Sequence, residues 1–466
     1  MILNLNRTVV SNELGLLMKL NEHNYFVRDL GRDYPIAVKA EGSWIWDEAG
    51  NKYLDACAGA NVSGIGHGRA EVAECMMRQA KEIAYVPPLH FLNRPAIELS
   101  EKLIEMAPKG FSRVMLLSGG SEAMENAFKI ARQFHVYNGS PSKYRIISRW
   151  QSFHGNTLMA DSVSGKTNRR TVQMPMLTNV PHIVPACCYR CAFEKTYPQC
   201  GIMCAKDLER LMIQEGPEYI AAFTSETIVG AAAAAVTPVK EYYPMIRDIC
   251  DKHNVLWIAD EVMTGMGRTG KFAAIEHWGV IPDLIVMAKG LSSGYAPLAA
   301  ILIKDEIFEV FRKGGHPYVG GHTYNAHPVT AAVGLAVLDY IKKHDLMSQA
   351  RLKEPILSSG LKAIAKKAPI VGDVRGKGLM WGMEFVRDRK TKQPFEPNEK
   401  VFHRVVSKAL SEGIVVYPVN GCVDGVKGDG ILICPPLTIT EEEIGFLIQK
   451  LEKTLIEISQ ELGIRA

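Results

Sequence analysis

No stretch of this sequence is long and apolar enough to cross a bilayer. The most apolar run, residues 228–239, is rich in alanine, contains Gly230 and Pro238, and falls short of the roughly 20 residues a span requires. An excess of one charge is also lacking. Lys and Arg number 54 against 50 Asp and Glu, a formal net charge of +4, and the basic residues are scattered rather than gathered into an arm, so no nucleic acid partner is expected. The first residues carry Glu13 and several Asn with no apolar segment among them. Neither a secretory signal nor an Arg-rich transit peptide is expected there, and a cytoplasmic location follows. Internal repeats and low-complexity tracts are absent, which removes repeat arrays and disordered linkers from consideration.

What is there is globular. Hydrophobic residues make up 47% and charged residues 22% of 466, enough for a sizeable core and about two to three times the usual single-domain length. Five of the ten cysteines (Cys187, Cys188, Cys191, Cys200 and Cys204) fall within one short segment. In a reducing compartment such a cluster reads as thiols or a metal site rather than a disulfide frame. Cys188 and Cys191 followed by Cys200 and Cys204 make a Cys₄ zinc site geometrically conceivable; loop thiols that serve packing are the other reading, and no metal ligand is assigned.

Short runs rich in β-branched residues alternate with helical patterns at residues 113–117, 145–148, 219–224, 255–259, 284–288 and 298–303. The alternation predicts βαβ units around a buried, mostly parallel sheet. Over residues 121–134 a helical face of Ala123, Ala127, Ile130, Ala131 and Phe134 is small enough to lie close on that sheet. Residues 43–55 predict a hairpin turning at Glu48-Ala49-Gly50. Past residue 330 the segments become longer and more helical, and Thr440 with Glu443 forms a capping-box pattern before Ile444, Leu447, Ile448, Leu451 and Leu455. A smaller α+β domain is expected there.

Four segments carry chemistry: Ser118-Gly119-Gly120-Ser121, Ser152-Phe153-His154-Gly155, Ala259-Asp260-Glu261-Val262 and Ala288-Lys289-Gly290. Each stands where a strand gives way to a loop, the place where open α/β sheets bind ligands. Two glycines and a serine between strand and helix leave backbone N–H groups and a hydroxyl facing an anion, although a plain tight turn has the same pattern. A carboxylate at a strand end, Asp260, keeps a heteroaromatic nitrogen protonated or simply caps a helix. Lys289 begins at a buried strand end, where desolvation lowers an ammonium's pKa towards a nucleophilic amine; the alternative is a snorkelling surface lysine. A phosphate cradle, an aromatic ring, a carboxylate and a lysine, in that order on one α/β scaffold, describe a pyridoxal phosphate site. His154 reads as a positioning or core histidine, because no second ligand stands at metal spacing from it.

In these residues the chain resembles the class III aminotransferases, the ω-aminotransferase branch of the fold type I pyridoxal phosphate enzymes. The match runs from about Trp44 to the C-terminus and is most specific over residues 257–270 and 283–290. The resemblance implies an α/β fold with a large cofactor-binding domain at residues 61–330, built on a mostly parallel central sheet flanked by helices. A small α+β domain would be made from residues 1–60 and 331–466. It implies further that Lys289 is the Schiff-base lysine and shuttles the proton, and that Asp260 pairs with the pyridine nitrogen. Gly120 and Ser121 would bind the phosphate, Phe153 would stack on one ring face beside Gly155, and Val262 would press on the other. Glu226 corresponds to the family glutamate near the ring and the substrate gate. Thr323 corresponds to the threonine that reaches the partner subunit's phosphate, which implies a homodimer and leaves a tetramer open. The partners implied are an amino donor and a keto acid, pyruvate or 2-oxoglutarate, in a ping-pong reaction.

Three features depart from the family pattern. Thr227-Ile228-Val229-Gly230 follows Glu226 where proline and a glycine pair are usual, and Asn325-Ala326 replaces Ser-Gly after Tyr324. The loop at residues 421–430 has Lys427 but no arginine, while Arg375 lies in the family-like Val374-Arg375-Gly376, so the holder of a substrate carboxylate is left unassigned. Related enzymes that racemise, move an amino group within one molecule or eliminate phosphate use the same lysine, and a non-catalytic descendant would not need it.

Overall fold

The computed structural model describes residues 23–465. The expectation that no targeting segment opens the chain lies outside these residues, as does the start of the 1–60 segment. In chain order the strands are β1 (Ala37–Glu41), β2 (Trp44–Asp47), β3 (Lys52–Asp55), β4 (Phe111–Leu117), β5 (Arg145–Arg149), β6 (His182–Ile183), β7 (Ile220–Glu226), β8 (Leu256–Asp260), β9 (Leu284–Met287), β10 (Ala299–Lys304), β11 (Val371–Lys377), β12 (Met380–Phe385), β13 (Ile414–Val415), β14 (Tyr417–Asn420) and β15 (Asp429–Ile433).

The six apolar runs expected to be strands are β4, β5, β7, β8, β9 and β10, with ends that differ by no more than two residues. They form one sheet in the order β4-β10-β9-β8-β7-β5-β6. Neighbours are parallel except at β10, which runs antiparallel to both β4 and β9. The edge strand β6 has two residues, too few to show a period in sequence.

Every residue of β7, β8 and β9 is buried, as expected where both faces of a sheet are covered. Because side chains alternate along a strand, Phe223, Trp257, Ile285 and Leu302 enter one core while Ala222, Ile258, Val286 and Ile301 enter another on the opposite face. Each fully buried side chain of Val, Ile, Leu or Phe size contributes about 1.5–3 kcal/mol, and Ala222 less. The helix Gly120–Tyr137 covers the second face with Ala123, Ala127, Ile130, Ala131 and Phe134, the stripe expected from sequence.

Two smaller sheets flank this body. In β1-β2-β3-β13 the expected hairpin pairs Trp44 with Leu54, and Asp47 Oδ1 accepts the Asn51 N–H at 2.8 Å to hold the turn. Strand β13 joins it in parallel, Ile414 beside Leu54, so segments from near the start and near the end of the chain share a sheet. The antiparallel sheet β11-β12-β15-β14 follows. The helix Glu441–Glu461 starts at the expected capping box: the Glu443 N–H donates to Thr440 Oγ1 at 3.1 Å, and the Thr440 N–H donates to Glu443 Oε2 at 2.9 Å. Glu443 also accepts from Trp44 Nε1 at 2.7 Å, which ties this helix to the hairpin. Among the described residues no helix is long and apolar enough to cross a membrane.

Candidate active site

The carboxyl ends of β7, β8 and β9 stop side by side. Register pairs Glu226 with Asp260 and Asp260 with Val286, so two carboxylates stand on adjacent strands, and three residues past Val286 comes Lys289. One strand spacing is about 4.8 Å, which is why the three functional groups converge although 63 residues of chain separate Glu226 from Lys289. A cavity of about 470 Å³ opens at this edge, and its lining includes Gly120, Ser121, Phe153, Gly155, Glu226, Asp260, Val262 and Lys289. Eight of the nine expected cofactor-site residues are therefore neighbours.

The anion cradle is built by a helix without a side-chain cap. Gly119 is the N-cap of the helix Gly120–Tyr137 and offers no oxygen, so the first-turn N–H groups face the cavity with the helix dipole behind them. Ser121 Oγ accepts the Asn156 N–H at 2.9 Å, which aims the hydroxyl beside the same opening. Two glycines leave the space: a Cβ on Gly120 would sit 3.3 Å from Val262 Cγ1, and one on Gly155, whose φ is +145°, would sit 2.6 Å from Ser121 Oγ.

Asp260 is buried and fixed at both oxygens. Oδ1 accepts the Val262 N–H at 3.0 Å and Oδ2 lies 2.7 Å from His154 Nδ1. That contact sets the histidine's role, since a ring N–H on Nδ1 donates to the carboxylate; the other nitrogen, Nε2, is buried without a partner. Glu226 bridges two backbones: Oε1 accepts the Phe153 N–H at 2.8 Å and Oε2 accepts the Gly230 N–H at 2.9 Å. Burial raises its pKa, with the His154 ring opposing the shift and Asp260 adding to it. The alanine-rich segment after Gly230 is a buried turn, with Ala232 and Ala233 packed on Phe153.

Lys289 has a φ of +45°, a conformation that a side chain disfavours. Among the described residues its ammonium makes no hydrogen bond or ion pair. Burial lowers its pKa, against the pull of the Asp260 and Glu226 carboxylates. A strained, unpartnered lysine, a carboxylate and an uncapped helix end around one cavity fit a flat aromatic aldehyde carrying a phosphate. The chemistry on offer is capture of a carbonyl by an amine, anion binding and proton transfer.

Thr323 is the ninth expected residue, and it lies outside the cavity. It is exposed, and its carbonyl accepts from Tyr85 Oη at 3.0 Å. Arg375 is not free: Nε and Nη2 donate to the Ala234 and Ala233 carbonyls at 2.9 and 2.7 Å, and its guanidinium pairs with Asp373 and Glu384. Lys427 pairs with Glu396 at 2.9 Å. The five clustered cysteines are free thiols lining one small cavity, and among the described residues no group of three or more His, Cys, Asp or Glu is arranged to hold a metal ion. One group that motif reading passed over is Arg169, whose guanidinium carbon lies 4.9 Å from the centre of the Phe153 ring. Nothing in the sequence sets Arg169 apart, since Lys166, Arg169 and Arg170 are a basic cluster no denser than the one at residues 387–392.

Comparison with known proteins identifies the family. The family described as aminotransferase class-III matches residues 30–455. The uncharacterized aminotransferase YodT of Bacillus subtilis is 39% identical over 440 residues, covering 94% of this chain and 99% of its own. The putrescine–pyruvate aminotransferase of Pseudomonas aeruginosa is 34% identical over 424 residues, 90% of each chain. Among solved structures, the omega transaminase from Pseudomonas jessenii in complex with PMP superposes with a TM-score of 0.88 at 31% identity, covering 95% of this chain and 98% of that one.

Proposed function

The chain belongs to the class III aminotransferases, a pyridoxal phosphate-dependent family, and from that premise we propose that it moves an amino group from an ω-amino acid or other amine to pyruvate or 2-oxoglutarate, with the cofactor held in the cavity at the ends of β7, β8 and β9. The observation that carries the reading is the meeting of Lys289, Asp260 and the uncapped helix end at Gly120 around one cavity. The Pseudomonas aeruginosa relative, named for an amine and a keto acid, supports the substrate classes.

When bound, pyridoxal phosphate supplies the electron sink that lets a substrate Cα–H bond break and stores the amino group between the two half-reactions. Lys289 would hold the cofactor through its amine and would carry the proton between the substrate Cα and the cofactor C4′. The lowered pKa favours the neutral amine that both tasks need. Asp260 holds the proton on the pyridine nitrogen, and His154 keeps the carboxylate aimed by donating to Oδ2. The N–H groups of Gly120 and Ser121, with the Ser121 hydroxyl, bind the phosphate. Phe153 and Val262 close the two ring faces and exclude water, and Glu226 fixes the Phe153 backbone while it braces the Gly230 turn.

Thr323 acts in this scheme across a homodimer, from one protomer to the phosphate of its partner. An exposed apolar patch supports this: Leu89 and Leu92 are 92% and 84% exposed, and near them Tyr85 meets Tyr324 in an edge contact. The division of the chain at about residues 60 and 330 belongs to the same proposal, with the helix Pro328–Lys343 carrying the second junction.

The test is spectroscopic. The purified protein with pyridoxal phosphate is given β-alanine, 4-aminobutyrate, taurine, ornithine or a phosphorylated amino alcohol without keto acid, and then pyruvate or 2-oxoglutarate. The visible band of the lysine-bound cofactor disappears with some donors and returns with the acceptor if the proposal holds. A band that persists while the donor racemises or releases ammonia refutes transamination, and a Lys289→Ala variant that still turns over refutes the lysine's role.

A further inference from the structure

A keto acid brings a carboxylate into the cavity, and several of the cations near it are already engaged. Arg375 is saturated by two carbonyls and two carboxylates. Arg149 donates through Nη2 to the Glu226 carbonyl, with Nε and Nη1 buried and unpaired among the described residues, and Lys166 Nζ donates to the Ala231 carbonyl at 2.8 Å. Lys427, the one cation of the loop at residues 421–430, is turned to Glu396. Lys289 is reserved for the cofactor.

Arg169 differs from all of these. It projects from the short helix Thr167–Arg170, is only partly exposed, and among the described residues makes no ion pair and no side-chain hydrogen bond. Its guanidinium carbon stands 4.9 Å from the centre of the Phe153 ring; Phe153 lines the cavity, and Arg169 stands behind that lining. A guanidinium stacked on an aromatic face keeps its N–H edge free, and that edge matches a carboxylate with two parallel hydrogen bonds. The charge also reaches the site's centre: Arg169 helps to depress the Lys289 ammonium and opposes the burial-driven rise of the Tyr417 phenol. The helix is held in place by the loop that lacks an arginine. The Asn168 N–H donates to the Gly425 carbonyl at 3.3 Å, and a Cβ on Gly425 would stand 2.3 Å from Thr167 Oγ1, so helix and loop are in direct contact.

We propose that Arg169 binds the substrate carboxylate, taking the keto acid in one half-reaction and a carboxylate-bearing amino donor in the other. The inference rests on the aminotransferase reading. It makes the substrate class one of carboxylate-bearing amino acids and keto acids, with a carboxylate-free amine able to react but deprived of this anchor.

The experiment uses the holoenzyme, Arg169→Gln and Arg169→Lys variants, and Lys427→Ala as a control outside the site. Steady-state KM for pyruvate is measured with putrescine as donor, the donor half-reaction is compared for putrescine and β-alanine, and binding of propionate, an unreactive carboxylate, is followed by calorimetry. Loss of a charge-assisted pair predicts a rise in pyruvate KM of about 10- to 100-fold in Arg169→Gln, larger than any fall in kcat, with propionate binding lost in parallel. Arg169→Lys recovers part of both, and Lys427→Ala moves neither. Equal losses with putrescine and β-alanine would show Arg169 to act only through Phe153 packing and would overturn the proposal. So would pyruvate KM and propionate affinity within twofold of the wild type. A wild-type enzyme that fails with putrescine and with every amino acid donor refutes the aminotransferase reading instead, and propionate binding still decides the role of Arg169.

Discussion

Replacing Gly155 by alanine places a methyl group where the cavity has no room for it. The new Cβ would stand 2.6 Å from Ser121 Oγ, 2.9 Å from Ser121 Cα and 2.9 Å from Ala160 Cβ, on a backbone with φ of +145°. Holding a non-glycine residue in that region costs about 1–3 kcal/mol. The overlap costs about 1–3 kcal/mol more, because Ser121 lies on the first turn of a helix pinned into a packed core and cannot slide away. Relief by tilting Ser121 breaks its bond from the Asn156 N–H and moves the hydroxyl out of the phosphate cradle. Gly120→Ala is the contrast: its Cβ would meet the Val262 methyls at 3.3 and 3.4 Å and Ala288 Cβ at 3.6 Å, with no positive φ. Its cost stays below about 1 kcal/mol, since alanine is also the better helix former. Both apoproteins are titrated with pyridoxal phosphate by absorbance and unfolded thermally without it. Gly155→Ala is expected to lose at least about tenfold in cofactor affinity, equivalent to about 1.4 kcal/mol, and to melt earlier, while Gly120→Ala stays within about threefold. Wild-type affinity in Gly155→Ala, or greater damage in Gly120→Ala, refutes the reasoning.

Asp260→Asn keeps the volume but removes the charge, and kcat is expected to fall by about 10²–10³-fold with cofactor retained; unchanged kcat removes Asp260 from the chemistry. Because burial lowers the Lys289 pKa, the neutral-amine fraction grows with pH and saturates below the value of about 10.4 for a free lysine. The rate of cofactor capture by the apoprotein should therefore level off below that pH, and a rate still climbing about tenfold per unit at pH 10 contradicts the shift. Glu384 is fully buried and pairs with Arg375 at 2.8 Å and with Arg190. Glu384→Gln leaves two buried guanidiniums undercompensated and should cost about 3–5 kcal/mol in urea unfolding; an unmoved midpoint refutes the pairing argument.

The amino-acid sequence by itself determined the local elements and the order of the chemistry along the chain. Buried parallel strands need apolar residues at every position, so β7, β8 and β9 were legible as runs, and the stripe on the helix Gly120–Tyr137 was legible by its period. Lys289 and Asp260 were legible because each follows such a run, whereas Glu226 came only with the family resemblance. Strand β6 was not, with two residues and no pattern. Tertiary structure alone decided the partnerships. His154 reaches Asp260 across 106 residues, Arg375 is consumed by two turn carbonyls and two carboxylates, and Arg169 is left over Phe153 without a hydrogen-bonding or ion-pair partner among the described residues. The physical reason is that an isolated basic or imidazole side chain looks the same in sequence whether it is paired or free. Its role depends on which distant backbone or carboxylate the packing brings within hydrogen-bond reach, and that is settled only when the sheet closes.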